Sequence, residues 1–317
     1  MRLLVAITAD VDNDGVALEN ERNRLSWRSI ELLPKLAEII REHHFPATWF
    51  VRADPQLKDY YGSINFLLKE HEALWRDFAD HGDEIGWHPH LYALRSDGIY
   101  EPERDDERLM IALRCAHSDL ASDGYTFTSV RIGEAMGSNA VMRTLAELGL
   151  QVDSSAIPGR RRDDNARRFD WSISPNVPYW PSTADYRVPG SPALPILEVP
   201  MTAVLVKAPY DPKPLLRYAN LAYRPAIFAA ALEEWFDQNA IAETVLTLIF
   251  HPDELMPGSG DHPLYALTPD ALEANIQTLL GLAHRRGMDV VGKTMAEIRK
   301  LICRTGNVDS RKKYSNA

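Results

Sequence analysis

Residues 82–92 read Gly82-Asp83-Glu84-Ile85-Gly86-Trp87-His88-Pro89-His90-Leu91-Tyr92. A short apolar run delivers two imidazoles one residue apart. On an extended chain, residues i and i+2 point to the same side. His88 and His90 therefore face one point in space, as two ligands of one metal must. The competing reading is two histidines in a polar loop after a strand, because a ligand set needs a third member.

Working outward, strands and helices alternate. Residues 3–9 are mostly apolar and run into Asp10, Asp12 and Asp14, as a buried parallel strand does. A helical pattern over 28–43 contains Pro34, where the regular helix starts or kinks. A strand from Ala47, a helix over 63–80 and the strand 84–87 follow. A helix over 103–121 precedes the strand Thr128-Ser129-Val130-Arg131. Ser138 and Gly149 bracket a helix over 140–148. Further strands are expected at 152–155, 196–200, 245–250 and 289–291, with helices at 225–238, 270–286 and 293–302. Residues 157–194 are rich in Pro, Arg and Asp and carry little periodicity, which suits a functional loop. This alternation predicts one α/β domain over residues 1–303 with a mostly parallel sheet, followed by a polar tail at 304–317. No GxGxxG follows the first strand and no GxxxxGK[ST] occurs, so no dinucleotide or P-loop site is supported.

The 317 residues carry a formal net charge of −10, against a nucleic-acid backbone or an anionic membrane as the main partner. Arg160-Arg161-Arg162 and Arg167-Arg168 are local exceptions, read as a solvated loop first and an anion site second. Cys115 and Cys303 fit no paired pattern and read as reduced thiols. No run approaches a membrane span, and the short apolar start is soon followed by acids, unlike a signal peptide. A cytoplasmic protein is expected.

Parallel strands bring their C-terminal ends to one face, so Asp10/Asp12, His88/His90, Arg131 and His251 are placed to converge. One carboxylate with two imidazoles suits Zn²⁺ or another divalent first-row metal. A second carboxylate is available as general base, a separate His as proton donor, and an Arg beside the base would favour its ionised form. Calcium is the alternative for the acids. Asp10, Asp12, Asp14, Gly15 and Glu21 stand at EF-hand loop positions 1, 3, 5, 6 and 12, although a strand and not a helix leads into them.

The order of these motifs resembles the polysaccharide deacetylases, the NodB-homology carbohydrate esterases, over roughly residues 3–300. Ile7-Thr8-Ala9-Asp10-Val11-Asp12 stands where the family has its Thr-Phe-Asp-Asp strand end. Pro46-Ala47-Thr48-Trp49-Phe50-Val51 is similar to its "PATFFV". Residues 82–88 resemble its "GHEIGNH", residues 145–155 its "LRELGYRVDSS", and Phe250-His251-Pro252 its closing Leu-His motif. Arg131 begins the segment like its arginine-bearing motif, and Asp170-Trp171 stands for its Asp-Trp pair.

The resemblance implies a distorted (β/α) barrel of the NodB type and hydrolysis that removes acetate from an N- or O-acetylated sugar. It implies Asp10 as catalytic base, Arg131 as its partner and His251 as general acid. Asp12 and His88 would be metal ligands, with Zn²⁺ the expected ion. The family's second histidine lies four residues after the first, where this chain has Tyr92, so His90 is taken as the third ligand. Val11 separates two acids that the family keeps adjacent, which leaves their roles exchangeable. Ile132-Gly133-Glu134 replaces the family's Pro-Tyr-Gly. Trp87, Tyr92, Trp171, Tyr179 and Trp180 are the expected sugar contacts. These departures define an atypical branch and keep two other functions open: a carbohydrate-binding protein that has lost catalysis, and a metal-dependent hydrolase of a small non-sugar amide.

Overall fold

The structure is a computed structural model that describes residues 1–14, 25–164, 167–239, 243–257 and 261–304. Its frame is a curled, parallel sheet of β1 (Arg2–Val11), β2 (Ala47–Arg52), β3 (Glu84–His88), β4 (Ser129–Val130), β5 (Val152–Asp153), β6 (Leu197–Glu198), β7 (Glu243–Phe250) and β8 (Asp289–Gly292). The strand order is β6-β5-β4-β3-β2-β1-β7. β7 pairs with β1 from Arg2↔Glu243 to Ala9↔Phe250. β2 pairs with the upper half of β1, Ile7↔Ala47 to Val11↔Val51, and β8 takes the lower half, Leu3↔Val290. Between β6 and β7 the ring is continued by irregular chain. Thr202 N–H donates to the Thr247 carbonyl and Leu221 N–H to the Ile249 carbonyl. This is the distorted barrel that the family resemblance implied, and it is incompletely closed by strands.

Seven of the helices wrap this sheet in sequence: α1 (Leu33–Glu42), α2 (Pro55–Tyr61), α3 (Phe66–Glu70), α4 (Glu72–Asp80), α5 (Asp106–Ser122), α6 (Asn139–Glu147) and α7 (Pro225–Gln238). α8 (Pro269–Arg285) and α9 (Met295–Arg304) complete it. The helix expected over 63–80 is two short helices, and α2 before it was missed. Its start was legible: the Asp54 side chain accepts from Leu57 N–H and Pro55 occupies the first turn. Among the described residues, no helix is long and apolar enough to cross a membrane.

The period of two along each strand sorts the core. On β1, Leu3, Val5, Ile7, Ala9 and Val11 face the helices and join the larger apolar cluster. Leu4 and Ala6 face the barrel interior, with Phe50, Val152, Leu197 and Val245. Continuing along the inward positions gives Thr8 then Asp10 on β1, Gly86 then His88 on β3, and Ser129 then Arg131 at the end of β4. The apolar plug at the bottom therefore gives way to polar groups at the mouth. Gly86 is required here: a Cβ would stand 2.6 Å from a Phe50 ring carbon.

Candidate active site

The mouth of the barrel is a half-open cleft of about 890 Å³, lined among others by Asp10, Asp12, His88, His90, Arg131 and His251. Arg131 is 1% exposed and fully engaged. Its Nη1 donates to Asp10 Oδ1 at 2.7 Å and to Thr8 Oγ1 at 3.0 Å. Its Nε and Nη2 donate to the carbonyl and hydroxyl oxygens of Ser154. Its guanidinium carbon lies 4.4 Å from the Phe50 ring centroid. Burying a lone guanidinium costs several kcal/mol, so this complete set of partners is what makes the position tenable. Burial opposes charge on Asp10, but Arg131, His88 and His251 outweigh it and hold its carboxyl below the usual range.

Asp12, His88 and His90 form the one group of three or more His, Cys, Asp or Glu side chains able to hold a metal ion among the described residues. The two Nε2 atoms are 3.2 Å apart, and His90 Nε2 is 2.9 Å from Asp12 Oδ2. His88 Nδ1 donates to the Arg131 carbonyl at 2.7 Å, which leaves the Nε2 lone pair aimed into the cleft. Burial pushes the His88 pKa down to about 4, so this ring is neutral, as a ligand must be. His90 Nδ1 is buried with no hydrogen-bond partner among the described residues, so the ring is oriented by its Nε2 side. The donor set fits a divalent first-row ion.

Gly133 fixes the ring from behind. A Cβ there would stand 2.2 Å from His90 Cδ2. We expect Gly133→Ala to rotate the imidazole and weaken Zn²⁺ binding by about tenfold or more, a loss comparable to removing an outer-shell partner. Calorimetric titration of the metal-free variant checks this; unchanged affinity would show that the ring has room to yield.

Tyr92 lines the same cleft but offers no fourth ligand. Its hydroxyl donates to Glu134 Oε1 at 3.1 Å, and burial together with Glu134 keeps it protonated. Glu134 sits at φ +57°, a conformation costing about 1 kcal/mol or more. That turn directs its carboxylate toward Tyr92 and Arg167.

Two functional residues escaped the sequence reading. Arg52 ends β2 as Arg131 ends β4. Its Nη1 donates to Asp12 Oδ1 at 2.8 Å and its Nε to Asp54 Oδ2 at 2.7 Å, and Asp54 also accepts from His90 N–H. Burial disfavours charge on Asp12, but His90 and Arg52 hold its carboxyl well below the usual range. Glu254, three residues after His251, is the second. Its Oε2 accepts from His251 N–H at 2.9 Å, and its Oε1 lies 3.3 Å from His251 Nδ1. Burial opposes charge on the imidazole, but Glu254, with Tyr218 and Asp10, raises its pKa well above the usual value. His251 Nε2 then faces Asp10 Oδ2 at 3.8 Å.

Four expected sugar contacts do not reach the cleft. Trp87 and Trp171 have no exposed surface, and their indoles donate to the Ala53 and Ala135 carbonyls. Tyr179 is buried and donates to the Tyr186 carbonyl. Trp180 packs on the interior cluster, with Arg299 over its ring. These rings do what large aromatics most often do, which is pack with their polar atom satisfied. For the calcium reading, Gly15 and Glu21 lie outside the described residues. Asp14 turns away to Ser26 Oγ and the Arg28 and Ser29 amides, while Asp10 and Asp12 serve the groups above.

No protein-family model matches the chain, and no curated protein matches it significantly. The fold is that of the polysaccharide deacetylases. A protein assigned to them, from Mycobacterium smegmatis, is similar over 96% of this chain and 91% of its own, at 17% identity and TM-score 0.52. More distant are the family 4 carbohydrate esterase of Streptomyces lividans (12% identity, 90% of each chain, TM-score 0.39) and a family 4 pseudoenzyme of Bacillus anthracis (11%, covering 94% and 66%, TM-score 0.44). The last two are too loosely superposed to add anything.

Proposed function

We propose that this chain is a metal-dependent hydrolase that removes acetate from an N- or O-acetylated sugar or glycan precursor. The observation that carries the reading is the pairing of two sets in one cleft: Asp10 with Arg131 and His251, beside Asp12 with His88 and His90. A protein that only bound sugar would have no need of both. A cytoplasmic enzyme would meet a soluble precursor more readily than finished polymer.

Asp12, His88 and His90 would hold the ion, with Zn²⁺ the first choice for this donor set. When bound, it would polarise the acyl carbonyl and acidify water. The chain's own residues supply the proton handling. Asp10, ionised and steadied by Arg131, takes a proton from the attacking water. His251, protonated through Glu254, gives one to the leaving amine or hydroxyl. Incubation with acetylated mono- and oligosaccharides in the presence of Zn²⁺ or Co²⁺, with acetate as readout, tests the reading. Acetate release is expected; none from any sugar would end it.

The pH dependence has a definite sign. The base must be ionised, so activity falls as pH drops through the lowered pKa of Asp10. The acid must be protonated, so activity falls as pH rises through the raised pKa of His251. Replacing Glu254 by Gln removes the largest favourable influence on His251. The alkaline limb of kcat/KM should therefore move to lower pH. A limb that stays put would mean that another group supplies the acid.

A further inference from the structure

Arg160 lines the same cleft and is half-buried. Its backbone is pinned: its N–H donates to the Ile157 carbonyl and its carbonyl accepts from Trp171 N–H. Its guanidinium carbon lies 5.9 Å from the ring of Phe169, a buried residue of the cleft wall. Arg167 and Arg217 are its electrostatic neighbours, and both have carboxylates of their own. Arg167 pairs with Glu134, and Arg217 grips Asp211 with two bonds of 2.8 and 3.1 Å. Arg160 has no carboxylate and no side-chain hydrogen bond among the described residues.

Five of the acids that line the cleft are engaged elsewhere. Asp10 faces Arg131, Asp12 faces Arg52, Glu134 faces Arg167, Glu254 faces His251, and Asp261 pairs with Arg224. Burial and the two neighbouring arginines lower the pKa of Arg160, so its environment is poor for a lone cation. A guanidinium half-buried over an aromatic ring and without a counterion is costly unless an anion completes it. A ligand entering this cleft would bring that anion.

We propose that Arg160 anchors a negatively charged group, a carboxylate or a phosphate, on the acetylated sugar, so that the substrate class is an anionic sugar. This rests on the deacetylase reading for the word acetylated, but not for the anion site itself. The planar fork of Arg160 suits two oxygens of either group.

Calorimetry on the wild type, Arg160→Gln and Arg160→Lys tests it. The probes are three sugars of the same ring: a neutral hexose, its 6-phosphate and the corresponding uronic acid. The wild type should bind at least one anionic probe about tenfold or more tighter than the neutral one, the gain expected of charge-assisted hydrogen bonds. Arg160→Gln should erase that gap and Arg160→Lys should keep part of it, which guards against a variant that merely unfolds. The anion that shows the gap identifies the source. Equal binding of all three probes by the wild type, or a gap that survives in Arg160→Gln, overturns the proposal. Acetate release from the acetylated forms of the same sugars is scored separately. A gap in binding without any acetate release would leave the anion site standing and remove the deacetylase reading.

Discussion

Asp10→Asn should lower kcat for acetate release by about a thousandfold while leaving metal binding within about twofold, in line with the removal of a general base. The amide keeps the shape of the carboxylate, and its oxygen still accepts from Arg131 Nη1, now 2.7 Å from Asp10 Oδ1. What it loses is the ability to take a proton at the oxygen that faces His251. Loss of the negative charge also leaves the buried Arg131 less well compensated, so a fall in Tm is expected. Breaking a buried ion pair outright costs about 3–5 kcal/mol, and the retained hydrogen bond should keep the loss below that. Steady-state kinetics with a metal titration on the same preparation separates these effects. A kcat within tenfold of wild type would transfer the base to another residue, Asp12 first.

His90→Ala should reduce Zn²⁺ affinity by more than about a hundredfold, beyond what loss of an outer-shell partner does. Tyr92→Phe should leave the affinity close to wild type. The contrast matters because Tyr92 occupies the position of the second family histidine. His90 Nε2 is 2.9 Å from Asp12 Oδ2 and 3.2 Å from His88 Nε2. The Tyr92 hydroxyl instead donates to Glu134 and stays protonated. Competition against a chromophoric chelator measures both variants. Loss of affinity in Tyr92→Phe, with His90→Ala unchanged, would reverse the assignment. Asp12→Asn should behave like His90→Ala, and Asp10→Asn should not, so the same assay decides which acid serves the metal and which the proton.

The parallel α/β sheet and the convergence at its mouth were legible because both follow from periodicity, whereas the closing of that sheet toward a barrel was implied only by the family resemblance. Short strand-like runs ending in Asp10, His88, Arg131 and His251 suit buried parallel strands, and parallel strands share an outlet. The same logic reached Arg131 but was not applied to Arg52, which ends β2 in the same way and holds Asp12. Glu254 was within reach too, three residues after His251, which a proline follows, the spacing of a capping box. Gly133 was not legible. Its requirement comes from an imaginary Cβ colliding with His90, a residue far away in sequence. The fate of Trp171 and Tyr179 was equally hidden. They lie in irregular chain without periodicity, so nothing local distinguishes a ring aimed at a ligand from one sealed by the Ala135 or Tyr186 carbonyl.

The most direct test of the account is acetate release before and after metal removal, with metal content measured on the same samples. The account predicts that chelation abolishes release from an acetylated sugar. It predicts that about one Zn²⁺ or Co²⁺ per chain restores release in the wild type, but not in His88→Ala/His90→Ala. Release that continues undiminished in metal-free protein would contradict it.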